Sequence, residues 1–154
     1  MKTIKIKTFL IVMATLFFSC NATKTAVYDQ YSYQKTTELK VETANLLDKA
    51  TTPFTDHKLE VENLILDVAK ITEYEKNKPN NEITYAMWKI FSDKEKNLLA
   101  GFIKRWEDKK MLSEVFLTES KKQILDAMDL LIQYEIKKDK TSQNNLLNLI
   151  NKNQ

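Results

Sequence analysis

The sequence predicts an all-α fold, an antiparallel helical bundle of about four main helices, and three observations carry that reading. In 154 residues there is one glycine, Gly101, and there are two prolines, Pro53 and Pro79. So few turn-formers cannot supply the hairpins of a β-sandwich or barrel. Apolar residues also recur at three- and four-residue spacing through long windows, and the polar stretches between those windows are short, as connections in a bundle are.

The first helix is read over residues 28–50, with Leu39, Leu46 and Ala50 forming a thin apolar line. Thr52-Pro53 then reads as an N-cap followed by proline at the first helical position. It opens a second helix that runs to Lys78 and stops ahead of Pro79. On that helix Phe54, Val61, Leu64, Val68 and Ile71 repeat at helical spacing, and Leu59, Ile65, Leu66 and Ala69 widen the face. Only Glu60, Asn63, Asp67 and Lys70 form a wet stripe, so the helix is expected to be central and to touch more than one neighbour. A third helix is read over residues 82–110, capped by Asn80 or Asn81. Ser92-Asp93-Lys94-Glu95 is a capping-box pattern that predicts a break or kink at Ser92. Ser113 and Ser120 are candidate starts for a fourth helix covering at least residues 121–138. Its polar side holds Glu119, Lys122, Asp126, Asp129, Gln133 and Lys137, opposite Ile124, Ala127, Met128, Leu131 and Tyr134. The bundle domain is therefore expected over residues 28–140. Residues 141–154 read as a polar, Asn-rich tail in which Leu146, Leu147, Leu149 and Ile150 lie on one side of a short helix that would have to borrow the surface of its own bundle or a partner's groove; no internal repeat occurs.

The N-terminus carries an address. Lys2, Lys5 and Lys7 precede an apolar run over residues 9–18, the pattern of a cleavable export signal, and the run is shorter than the roughly 20 residues of a membrane span. Leu16-Phe17-Phe18-Ser19-Cys20 resembles the lipobox of bacterial lipoproteins. That resemblance covers residues 1–20 only, and implies removal of residues 1–19 and lipidation of Cys20. Residues 20–27 would then be a tether of at most about 23 Å beyond the anchor. A cut after Ala22 would instead release a soluble chain, and an uncut segment would serve as a short anchor. The lone cysteine favours lipidation, because an exported thiol has no disulfide partner here. Asn21 is not the Asp that keeps enteric lipoproteins in the inner membrane, so the resemblance implies the outer membrane, facing the periplasm.

The formal charge of +3 misleads. Three of the 24 basic residues precede Cys20 and all 21 acidic residues follow it, so the exported chain carries 21 of each. Such a balance, outside the cytoplasm, argues against a nucleic-acid partner. His57 is the only histidine and Cys20, committed to lipid, the only cysteine, which excludes H-E-x-x-H zinc sites and di-iron bundles and argues against the familiar Ser–His and Cys–His nucleophiles. Phosphate- and dinucleotide-binding loops need more glycines than the chain has. No metal or cofactor is expected.

Two residues stand out as candidates for a ligand or switch. His57 lies three residues before Glu60 in the first turn of the second helix; it is either a pH switch or weak metal ligand, or a half-buried histidine satisfied by its neighbour. Glu135 falls in the apolar arc of the fourth helix with Lys121 on the same side, and a buried carboxylate is costly unless paired. It marks either a ligand site or a helix end that reaches water. Trp88, Leu99 and Trp106 share one azimuth if the third helix is continuous, an aromatic stripe that reads as core. Tyr28, Tyr31 and Tyr33 follow the tether, where they would rest at lipid headgroup level or pack on the first helix. The expectation is a non-enzymatic, lipid-anchored module that contacts another envelope protein. The alternatives are a small-ligand or metal-responsive binding bundle and, third, an enzyme built on carboxylates alone.

Overall fold

The structure, a computed structural model, describes residues 25–153. The expected export signal, Cys20 and the expected tether up to residue 24 lie outside the described residues. Six α-helices follow: α1 (Gln30–Leu47), α2 (Lys58–Asn77), α3 (Glu82–Ser92), α4 (Leu99–Lys109), α5 (Glu114–Lys137) and α6 (Lys140–Lys152), with a 3-10 helix, Phe54–His57, ahead of α2. No strand occurs among the described residues. The all-α bundle is therefore built from six helices rather than about four.

The two added helices have distinct causes. The third helix of the sequence reading is broken into α3 and α4, at the position the sequence marked but by a different device. Ser92 Oγ donates back to the Trp88 carbonyl at 2.9 Å, so the capping box does not form. Asp93 makes the turn instead, its carboxylate accepting from the Glu95 N–H at 2.9 Å. The chain then doubles back so closely that the Lys96 carbonyl oxygen lies 1.8 Å from where a Cβ on residue 101 would stand. Only Gly101 fits there, which explains the position of the chain's one glycine.

The second addition is α6, which the sequence reading sets in the tail, outside the bundle domain, and which docks on its own bundle. Asp139 caps it by accepting from the Ser142 N–H at 2.7 Å, and Leu146 and Ile150 are buried. It wedges between α3 and α5 and completes a ring of neighbours that runs α1, α2, α3, α6, α5 and back to α1. Within that ring α3 and α6 start at the same end and run parallel; the other adjacent pairs are antiparallel. Helix α4 lies outside the ring, against α3 and the 3-10 helix.

The start of α2 also departs from the sequence reading. Thr52 does not cap it; its hydroxyl donates to the Lys49 carbonyl at 2.6 Å. Pro53 is extended, at φ −59° and ψ 129°, a 3-10 turn follows over Phe54–His57, and the α-helix begins only at Lys58. The cause is tertiary. The Phe54 N–H donates to the Lys110 carbonyl at 2.9 Å, the Leu112 N–H donates to the Ala50 carbonyl at 2.9 Å, and the Trp106 indole donates to the Thr52 carbonyl at 3.0 Å. These bonds clasp the α1–α2 and α4–α5 connections together and close one end of the bundle. The cost is visible at Lys110, which takes φ 68° without being glycine. Ser113 caps α5 as the sequence suggested, accepting from the Phe116 N–H at 3.3 Å, and Ser120 lies within that helix.

The core runs through the ring and under α4, with Trp88, Phe91, Leu99 and Trp106 all buried. The aromatic stripe is thus core even though the helix carrying it is broken. The wide apolar face expected of α2 is not covered. Val61, Leu64, Val68 and Ile71 point inward, while Leu59 and Leu66 are 70% and 54% exposed.

Candidate functional site

At the end of the bundle opposite the clasp, α1 begins, α2 ends, α3 begins, α5 ends and α6 begins. Five charged side chains meet there. Glu75 continues the inward line of Leu64, Val68 and Ile71, and Glu135 continues that of Ile124, Met128 and Leu131; both carboxylates are buried. Lys78, just past the end of α2, sends its ammonium between them. Its Nζ lies 3.5 Å from Glu75 Oε2, 3.7 Å from Glu135 Oε2 and 3.9 Å from Asp29 Oδ2, and donates to Ser32 Oγ at 2.9 Å. Lys138 donates to Glu135 Oε2 at 2.6 Å. The other Glu135 oxygen accepts from the Asp29 backbone N–H at 2.7 Å. Asn81 ties α3 to the knot by donating to Glu75, both to its carbonyl at 2.9 Å and to its carboxylate.

The electrostatics follow from these contacts. Burial pushes the Asp29 carboxyl up, but the Ser32 N–H, the Tyr74 hydroxyl and Lys78 together pull it below its ordinary value. Tyr74 donates to Asp29 Oδ2 at 2.7 Å, and this bond, with burial and the Asp29 charge, raises its hydroxyl to about 12. Burial lowers the Lys138 ammonium even though Glu135 opposes the shift. Glu75 Oε1 and Asn81 Oδ1 are buried without a hydrogen-bond partner. Three carboxylates against two ammoniums leave the knot rich in acceptors. Its groups face one another, and the one hydroxyl among them apart from Tyr74, that of Ser32, accepts from the Lys78 ammonium. Chemically the knot is a cross-brace, joining the first described residues of the chain to four helix ends.

Of the two residues the sequence singled out, Glu135 lies in this knot. Lys121, expected on its side of the helix, pairs with Asp48 far along α5 instead. His57 lies at the other end of the molecule. Its Nδ1 lies 3.1 Å from Glu60 Oε1 and its Nε2 2.7 Å from Thr52 Oγ1, with the ring 5.7 Å from that of Trp106. The structure does not bring the two residues together, and no group of three or more His, Cys, Asp or Glu among the described residues is arranged to hold a metal ion. Sequence reasoning did not join Asp29, Glu75, Lys78 or Lys138 to Glu135, and read Asn81 only as a candidate helix cap, whereas its side chain makes no capping bond and turns to Glu75. Glu75 was legible as a carboxylate on an apolar line, the same signal that marked Glu135.

A second feature is an apolar pocket of about 210 Å³ between α2 and α4. Phe54, Val61, Phe91 and Ile103 form its floor, Ile65 lies at its open side, and Lys58, Glu62, Lys94 and Lys104 stand around it. Comparison with protein-family models, curated proteins and solved structures finds no match to this chain.

Proposed function

We propose that the protein is a lipid-anchored component of the cell envelope, held through Cys20 in the outer membrane and facing the periplasm. There it acts as a non-enzymatic interaction module on another envelope protein. The observation that carries the reading is the leader itself: three lysines, an apolar run, then Ser19-Cys20, with no other cysteine in the chain. The rest of the molecule supports a binding rather than a chemical role. The one imidazole lies between Thr52 and Glu60, but the Thr52 hydroxyl donates its proton to the Lys49 carbonyl and not to the ring, and the buried charges brace helices. Leu59 and Leu66 on α2 stay exposed as apolar surface for a protein contact.

The test combines labelling with crosslinking in the native membrane. The wild-type protein is expected to take up labelled fatty acid, the Cys20→Ala variant none, and mild crosslinking to trap one protein reproducibly. Equal labelling of the two forms would remove the anchor; labelling with no crosslinked product would remove the interaction role. A second reading, a bundle that holds a small apolar ligand, is favoured by the pocket between α2 and α4. It predicts that an apolar probe of pocket size raises the melting temperature, and that Ile65→Asp cancels the rise.

A further inference from the structure

We propose that the end of the bundle carrying the charged knot is a membrane-contacting face, on which Val27, Tyr28, Tyr31 and Tyr74 sit at the level of the lipid headgroups. The proposal rests on Cys20 being the anchored residue.

Three observations carry it. The first is composition. Val27 is 82% exposed, Tyr28 and Tyr31 are each 48% exposed, and Tyr74 is 39% exposed. The Tyr31 and Tyr74 rings lie 4.6 Å apart, so α1 and α2 present one aromatic platform instead of scattered side chains. Tyrosine suits a bilayer surface because its ring is apolar and its hydroxyl polar; the Tyr74 hydroxyl is held by Asp29, so Tyr74 contributes its ring.

The second observation is reach. From Cys20 to Thr25 is five residues, at most about 18 Å when fully extended. The chain then enters the bundle at this end and no other. The Ala26 N–H donates to the Asn80 carbonyl at 2.9 Å, and Asp29 is held by Glu135 and Tyr74. An anchored Cys20 therefore holds this face near the bilayer and the clasped end away from it.

The third observation is charge. Lys76 on this end is paired with Glu73, and Glu82 and Asp139 offset Lys137 and Lys140. With no cationic excess to seek anionic lipid, the occupant this face fits is the headgroup layer of a neutral bilayer, engaged through tyrosine.

The experiment uses the chain from Cys20 onward, the described core of which lies entirely beyond residue 25. The sole thiol is coupled to a maleimide phospholipid in phosphatidylcholine vesicles. Hydroxyl-radical footprinting read by mass spectrometry then compares the coupled and free proteins. Tyr28, Tyr31 and Tyr74 are expected to be oxidised several-fold more slowly on vesicles, with no change at Met111, which is exposed at the clasped end. The protection is expected to persist in high salt. Equal oxidation in both forms, protection at Met111, or protection that needs anionic lipid and vanishes in salt would each overturn the proposal. Because the coupling is chemical, the result is independent of whether the cell lipidates Cys20; uptake of labelled fatty acid tests that separately.

Discussion

Lys78 lies one residue outside α2, yet its ammonium is the common counter-ion of Asp29, Glu75 and Glu135. Removing one partner of a buried charge group strands the others, which costs about 3–5 kcal/mol. Lys78→Met is therefore expected to lower the urea midpoint sharply, and adding Glu75→Gln to restore part of the loss. An additive double mutant would show that the charges do not act as a group. The same knot sets a pH dependence. The Asp29 carboxyl is held below its unfolded value of about 3.9, so its contribution is complete above that pH and drains as pH falls through the folded value. The Tyr74 hydroxyl is raised to about 12 from about 10 when unfolded, so its contribution is present below about pH 10 and is lost between there and about 12. Tyr74→Phe should abolish this part of the alkaline loss, visible as wild-type and variant unfolding curves that converge as pH rises through that window. Lys110, by contrast, is strained to no one's benefit but the clasp's. Its side chain is exposed and its backbone is left-handed, so Lys110→Gly is expected to stabilise the fold by about 1 kcal/mol. At this scale Glu135 was legible, as a lone carboxylate on an apolar arc. Its partners were not, because Asp29, which bonds it, stands 106 positions away, and periodicity carries no information across such a separation.

At the scale of single elements, the sequence announced ends better than it announced neighbours. Pro79 stops α2, Ser113 starts α5 and the chain breaks after Ser92, all from local chemistry that needs no partner. Helix α6 was read only as a short helix in the tail, apart from the bundle, because Asn, Ser and Thr are frequent in it and such residues have poor helix propensity. It forms by docking between α3 and α5, where Leu146 and Ile150 are buried, as a short helix must. Truncation after Lys140 is therefore expected to cost several kcal/mol, at about 1.5–3 for each large apolar side chain fully buried, and to lower the melting temperature clearly. An unchanged melting temperature would mean that the ring is closed without α6. The opposite error was made on α2, where a broad apolar face suggested burial on several sides. Periodicity reports which way a side chain points but not whether anything covers it, and Leu59 and Leu66 are open. Gly101 supplies a third check at this scale. In Gly101→Ala the new methyl meets the Lys96 backbone carbonyl, so residues 93–98 must move. A loss of about 1–3 kcal/mol is expected, with faster amide exchange confined to that loop and the first turn of α4.

The whole molecule is a five-helix ring braced by charge at one end and clasped by backbone hydrogen bonds at the other. Its class was legible from glycine and proline counts alone, whereas the ring order was not, since it depends on a tail that the sequence reading sets outside the bundle. Because the chain has a single cysteine and one histidine, residues 25–153 are expected to fold without a disulfide or a metal and to unfold in one cooperative step unaffected by chelators, as followed by helical circular dichroism. The charged knot has one more consequence, and it is mechanical. The chain enters beside Asp29, while α6 carries it about 20 Å towards the opposite end before Asn153. Tension between an anchored N-terminus and a load at the C-terminus thus runs along the helix axes, and α1 must slide against α2 and α5 before anything yields. Tension between the anchor and a partner seated on the knot end would bypass the helices almost entirely. The two directions of pull should give a stiff response and a soft one from the same fold.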